Sequence, residues 1–116
     1  MGTLPANGQQ SMVAMSSVIE LSERIAKEFH PEKIILFGSY AYGTPRKDSD
    51  VDLLVILPFE GSGLRKAVDI LTRVSPDFPI DLIARRPEDA ARYYAERDPL
   101  IREAFDSGRV LYERAG

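Results

Sequence analysis

The stretch that decides the fold is Ile35-Leu-Phe-Gly-Ser-Tyr-Ala-Tyr-Gly-Thr-Pro-Arg-Lys-Asp-Ser-Asp-Val-Asp-Leu-Leu-Val55. It joins two apolar runs, Lys33–Phe37 and residues 51–57, whose aliphatic and β-branched side chains are typical of buried strands. Gly38 interrupts the apolar pattern, and residues 39–43 predict a short helix or turn before a polar loop. The stretch therefore predicts a strand, a tight turn and a second strand, with polar groups at the junctions.

The turn after the first strand begins with Gly38 and Ser39. Glycine lets a backbone approach a ligand closely. The amides that open the following helical turn, together with the serine hydroxyl, favour phosphate oxygens. A Gly-Ser pair after a strand is more often an ordinary turn, so this pair alone is weak evidence for a phosphate site.

The second strand is headed by Asp50 and Asp52. Residues two apart in a strand face the same side, so the two carboxylates are expected to point together. Neighbouring carboxylates repel, and one should stay protonated unless a cation lies between them. Oxygen ligands of this kind suit magnesium or manganese, although an isolated pair can also be a solvated strand end.

A third aspartate, Asp81, lies in the apolar run 80–84, which predicts another strand. A charge between buried neighbours costs several kcal/mol unless it is partnered. A metal ion shared with Asp50 and Asp52 would remove that cost. The alternative is that Asp81 lies on the outer face of an edge strand.

The remaining segments predict helices around these strands. A helix should begin between residues 11 and 18 and stop before Pro31. Ser62 can cap a second helix. Further helices open at Pro87 and at Asp98-Pro99, and residues 110–112 predict a last short strand. The inner face of the second helix is expected to comprise its apolar residues at helical spacing, Leu64, Ala67, Val68 and Leu71.

The fold class that follows is α/β: a small mixed β-sheet with helices packed mainly on one face. We expect residues 1–11 to be a flexible N-terminal tail and residues 12–116 to be one domain. The absence of cysteine excludes disulfides and thiolate metal sites, and the single histidine excludes a zinc site built on several imidazoles.

Charge and hydropathy limit the partners. Fifteen basic and 18 acidic residues give a net charge of −3, so nucleic acid is an unlikely direct partner. No apolar run is long enough to span a bilayer, and residues 1–10 lack the features of a signal peptide. We therefore expect no membrane contact and a cytoplasmic protein.

Together the motifs are far more specific than any one of them. Gly-Ser, ten intervening residues, Asp-x-Asp at the head of an apolar strand and an aspartate on a later strand resemble the DNA polymerase β nucleotidyltransferase superfamily. Residues 35–55 are similar to its minimal, MNT-type members, which often serve as the antitoxin beside a HEPN-domain toxin. The resemblance runs from about residue 16 to the C-terminus. One departure is Tyr42, where many relatives carry arginine; Arg46 or Lys47 could compensate.

This resemblance implies a mechanism and a set of roles. Asp50 and Asp52 would hold two Mg²⁺ ions, or Mn²⁺, and Asp81 would complete the ion that activates the attacking hydroxyl. Gly38 and Ser39 would bind the β- and γ-phosphates of an NTP, with ATP as the expected substrate and Arg46 as a further phosphate ligand. The domain 12–116 would then be a polymerase β-like nucleotidyltransferase domain.

The acceptor implied by the resemblance is a tyrosine of a partner HEPN toxin, which would be silenced by adenylylation. Little of the chain remains beyond a nucleotide-binding core of this size to bind an acceptor, which also favours a protein that brings its own surface. Two alternatives stay open at this point. One is an antitoxin that neutralises its partner by occlusion without chemistry, and the other is an adenylyltransferase of small molecules such as antibiotics.

Overall fold

The computed structural model describes residues 12–115, so the predicted tail, residues 1–11, lies outside the described residues. That part of the chain contains five helices and four strands. In order these are α1 (Met15–Phe29), β1 (Lys33–Phe37), α2 (Ser39–Tyr42), β2 (Val51–Ile56), α3 (Gly63–Val74), β3 (Ile80–Arg85), α4 (Pro87–Ala95), α5 (Pro99–Ser107) and β4 (Arg109–Glu113).

The four strands form one mixed sheet in the order β3-β2-β1-β4. β1 is antiparallel to both β2 and β4, whereas β2 and β3 are parallel. A parallel pair needs a long crossover, and α3 supplies it. The two most apolar strands, β1 and β2, are central because their side chains are covered on both faces of the sheet.

The predicted α/β class, with its small mixed sheet, is confirmed. The larger core lies on the face covered by the two longest helices, α1 and α3, and it contains Val18, Leu21, Ile34, Leu53 and Ile70. A smaller cluster lies on the other face under α4 and α5 and contains Ile35, Phe37, Leu54, Ile101 and Ala104. The second face is therefore partly covered, and this partial cover matters because the predicted site lies on it.

Local capping explains where several helices begin. The Arg65 amide donates to Ser62 Oγ at 3.1 Å, so Ser62 caps α3 as its position predicted. Asp98 Oδ1 accepts from the amides of Leu100 and Ile101 at 3.0 and 3.1 Å and fixes the start of α5. These side chains satisfy amides that have no acceptor inside their own helix.

The predicted inner face of α3 is wrong in two of its four members. Leu64 and Val68 are 77% and 55% exposed, while Ala67, Ile70 and Val74 are buried. Both sets have helical spacing, so hydrophobicity alone could not choose between them. The first turn of α3 lies so close to β3 that an added Cβ on its opening glycine would be 2.6 Å from a strand carbonyl oxygen. That close approach sets the helix rotation.

No helix within residues 12–115 has the length and apolar character that crossing a bilayer requires.

Candidate active site

The predicted site residues meet at one edge of the sheet. Because β1 runs antiparallel to β2 and β3, its carboxyl end lies beside their amino ends. Phe37 pairs with Asp52, and Asp52 in turn pairs with Asp81 in the parallel register. Directly paired residues on adjacent strands point to the same face, with strands about 4.8 Å apart. Asp52 and Asp81 are therefore side-by-side neighbours on the face that α4 and α5 partly cover.

Gly38 lies directly against the Asp52 carboxylate. A Cβ placed on Gly38 would be only 2.2 Å from Asp52 Oδ2. The backbone of Gly38 has φ 77° and ψ −163°, a combination that is essentially restricted to glycine. Both the conformation and the contact therefore require glycine here, and the turn that follows β1 is held close to the carboxylate.

The surroundings of Asp52 shift its pKa strongly. Partial burial is the largest cause that raises its pKa to about 6, followed by the negative charges of Asp81, Asp50 and Glu103. A carboxyl group whose pKa is raised in this way lies in surroundings that penalise its charge. A bound cation would reverse that penalty.

The raised pKa predicts a pH-dependent gain in stability for Asp52→Asn. Since the folded-state pKa lies above the ordinary 3.8, ionised Asp52 destabilises the fold. This penalty is absent below about pH 4, grows between pH 4 and 6 and is complete above pH 6. At pH 7.5 the variant should raise the free energy of unfolding by about 1–2 kcal/mol, less than the full shift because solvent still screens the group.

The measurement is urea denaturation in EDTA at pH 4.0, 5.0, 6.0 and 7.5. Asp48→Asn, at an exposed loop carboxylate close by, is the matched control and should change stability little at any pH. A gain for Asp52→Asn that does not depend on pH, or no gain at all, would contradict the assignment.

Asp50 and Asp81 are both exposed, in contrast to Asp52. Of the two positions considered for Asp81, the structure shows the exposed one, because β3 is an edge strand and leaves this side chain in contact with solvent. Asp50 immediately precedes β2 and lies outside the pairing of that strand with its neighbours. Within residues 12–115 no three His, Cys, Asp or Glu side chains are already gathered closely enough to hold a metal ion.

Ser39 lies before the loop that leads to β2, and Arg46 lies within that loop. Ser39 opens α2, the single turn that follows Gly38, and its carbonyl accepts from the Thr44 amide at 3.0 Å. The Arg46 amide donates to Ser49 Oγ at 2.9 Å, and the Arg46 side chain is exposed. The structure therefore places Ser39 beside Gly38 and Arg46 in the loop turn just before Asp50.

The sequence did not indicate that Glu103 would lie near the site. Tyr42 Oη donates to Glu103 Oε2 at 2.6 Å, which joins α2 to α5. This hydrogen bond is the largest of the causes that raise the pKa of Tyr42. No local motif surrounds Glu103, and only the packing of α5 on β1 brings it within reach.

A glycine-serine turn that faces carboxylates on two neighbouring strand starts, carried by a mixed α/β sheet, is the arrangement of a nucleotidyltransferase. The chain belongs to the nucleotidyltransferase domain family, whose model matches residues 18–111, from α1 into β4. The match covers every residue of the predicted site. No curated protein sequence matches the chain closely enough to count as a relative.

Solved structures share the fold at low sequence identity. A candidate nucleotidyltransferase from Sulfolobus solfataricus is 18% identical with a TM-score of 0.62, covering 98% of this chain and 93% of the other. A toxin–antitoxin structure with AMP-PNP is 20% identical with a TM-score of 0.56, covering 83% and 73%. A toxin–antitoxin MntA-HpeT mutant, with two aspartate-to-glutamate changes, is 19% identical with a TM-score of 0.54, covering 88% and 75%.

Proposed function

We propose that this nucleotidyltransferase moves a nucleoside monophosphate, AMP from ATP, onto a hydroxyl of a partner toxin and so acts as its antitoxin. The observation that carries the chemical part is the contact of Gly38 with Asp52, whose strand neighbour is Asp81. It sets a turn suited to phosphate beside carboxylates suited to a divalent cation.

The donor set fits Mg²⁺. Asp50, Asp52 and Asp81 offer only carboxylate oxygens, the ligands that hard divalent cations prefer, and Mn²⁺ is the closest substitute. The raised pKa of Asp52, caused first by burial and then by the neighbouring carboxylates, supports a bound cation at this edge of the sheet. Two bound ions would stabilise the charge on the entering and leaving oxygens of the transfer. Since Asp50 and Asp81 are exposed, their side chains can turn toward a shared ligand.

The nucleotide would lie across the turn and the carboxylates. Gly38 and Ser39 would bind the β- and γ-phosphates, and Arg46 would add positive charge from the loop. The acceptor oxygen forms a bond to the α-phosphorus while the bond from that phosphorus to the bridging oxygen breaks. The proton of the hydroxyl passes to solvent water, and pyrophosphate leaves with the electron pair of the broken bond. The residues of the chain contribute mainly by positioning and by electrostatic stabilisation.

Two solved structures of the same fold support ATP as the substrate and a toxin as the acceptor. One toxin–antitoxin structure of the same fold contains AMP-PNP, an ATP analogue. The other carries two aspartate-to-glutamate substitutions two positions apart, the spacing of Asp50 and Asp52. We propose by extension that the acceptor is a tyrosine of a HEPN-family toxin.

The test is transfer onto the cognate partner. With ATP and Mg²⁺, the chain alone should show little self-modification. The added partner should gain the mass of one or more AMP groups, with release of pyrophosphate, and EDTA should stop the reaction. Intact-protein mass spectrometry and a pyrophosphate assay measure both products, and the partner's toxicity or RNase activity measures silencing.

The double variant Asp50→Ala/Asp52→Ala separates chemistry from occlusion. If silencing is chemical, the variant should still bind the partner but leave it active and unmodified. Full silencing by the variant, with no mass change on the partner in either case, would establish occlusion and rule out the enzymatic proposal.

A further inference from the structure

The hydrogen bond between Tyr42 and Glu103 joins parts of the chain that are 61 residues apart. At 2.6 Å it has the length of a hydroxyl bound to an ionised carboxylate, which is among the stronger neutral-to-charged hydrogen bonds. Among residues 12–115 no Lys, Arg or His forms an ion pair with Glu103. Both side chains are exposed, so water also reaches this carboxylate, and within that part of the chain the tyrosine hydroxyl is its side-chain hydrogen-bond partner.

The bond lies next to the candidate site. Tyr42 is the last residue of α2, and its amide donates back to the Gly38 carbonyl at 3.2 Å. Gly38 in turn contacts Asp52. The charge of Glu103 also contributes to the raised pKa of Asp52, which places the two carboxylates within electrostatic reach. The hydrogen bond thus ties the turn that faces Asp52 to α5.

The two elements that the bond joins differ in rigidity. α2 has only four residues, and a single helical turn is unstable without tertiary contacts. Tyr40 supplies one such contact because it is buried in the main core. By contrast, α5 is held on the sheet by buried Ile101 and Ala104. α5 can therefore act as a fixed support for the outer side of the turn.

We propose that Tyr42 and Glu103 are positioning residues for the nucleotide, and that their hydrogen bond holds the turn 38–43 in the conformation that receives the phosphates. What the turn binds rests on the proposed function, whereas the bond itself is a feature of the structure. A turn that is already held in its receiving conformation loses less conformational freedom when the nucleotide binds.

A double-mutant cycle tests the proposal. Tyr42→Phe keeps the ring and removes the hydrogen bond, and Glu103→Ala removes the acceptor. Each should weaken MgATP binding, and raise KM for ATP, by about fivefold to tenfold with kcat changed less than about twofold. Because both changes remove the same bond, the double variant should be no weaker than either single variant.

Two further variants separate the positioning role from the effect of the Glu103 charge and from the general loss of a tyrosine–carboxylate hydrogen bond. Glu103→Gln keeps an oxygen acceptor for the tyrosine and removes the negative charge, so it should bind MgATP at least as well as the wild type. Tyr94 Oη donates to Asp106 Oδ1 at 2.7 Å, a similar bond between α4 and α5 that does not involve the turn. Tyr94→Phe is therefore the matched control and should not change MgATP binding.

Calorimetric titration of MgATP and transfer kinetics are measured side by side, with melting curves to confirm folding. Additive losses in the double variant, unchanged binding in Tyr42→Phe, or a Glu103→Gln defect equal to that of Glu103→Ala would overturn the positioning role. If the wild type binds MgATP but does not modify the partner, the proposed acceptor is wrong. The MgATP affinities of the variants would still test the positioning role. If the wild type binds no MgATP at all, both proposals fail.

Discussion

Asp52→Ala is expected to reduce nucleotidyl transfer by at least about a thousandfold, because it removes a carboxylate on which the proposed metal site depends. Asp52 lies at the centre of the site: Asp81 is its partner in the β3 register and Gly38 touches its carboxylate. Asp50→Ala should have a comparable effect on transfer. Neither change removes a side chain from the two hydrophobic clusters, so the fold should remain intact.

The stability of these variants is part of the prediction. Since neighbouring carboxylates raise the pKa of Asp52, removing this side chain relieves repulsion in the metal-free protein. A labelled-ATP assay should therefore show that transfer activity is lost. Thermal melting in EDTA should show that the melting temperature is unchanged or raised. Asp48→Ala is the control that should retain transfer. Near wild-type activity in Asp52→Ala, or an unfolded protein, would contradict the assignment.

Gly38→Ala is expected to lower transfer by at least about a hundredfold and to destabilise the fold by about 2–3 kcal/mol. The added methyl group would be 2.2 Å from Asp52 Oδ2 in a backbone conformation that alanine does not readily adopt. The carboxylate would have to swing away, or the turn would have to move off the strand. Either movement separates the aspartates from the turn that we propose to bind phosphate.

Gly61→Ala separates backbone strain from the clash. Gly61 also has a positive φ, of 83°, but an added Cβ there would meet nothing within 4 Å. This control should lose about 1 kcal/mol of stability and keep its transfer activity. Urea denaturation and transfer rates for both variants are the measurements. Equal activity losses in Gly38→Ala and Gly61→Ala would mean that the contact with Asp52 is not what makes Gly38 necessary.

Local rules were enough to predict where most elements lie. The strand at Lys33–Phe37 agrees with its prediction, and β2 and β3 differ by one residue at their carboxyl ends. Short apolar runs bounded by glycine, proline and polar loops leave few choices for the backbone. The sequence also predicted that helices begin at Ser62 and at Asp98, because a cap depends on residues only two or three positions away.

The errors concern contacts between elements. Leu64 and Val68 were expected in the core but are exposed, because the rotation of α3 depends on how closely its first turn approaches β3. The sequence left open whether Asp81 is a buried charge or lies on an edge strand, and β3 lies at the edge of the sheet. Both outcomes depend on strand order and helix placement, which hydrophobic periodicity along a single segment does not encode.

The sequence by itself determined the class of protein, because a glycine-serine turn and an Asp-x-Asp strand start are local patterns with a specific chemical use. It also indicated which aspartates belong to the candidate site. Only the tertiary structure decided that Asp52 and Asp81 pair in register, that Gly38 touches Asp52 and that Glu103 reaches Tyr42. These contacts join residues far apart in the chain, and they form only when the burial of the two hydrophobic clusters sets the order of the strands and the position of α5.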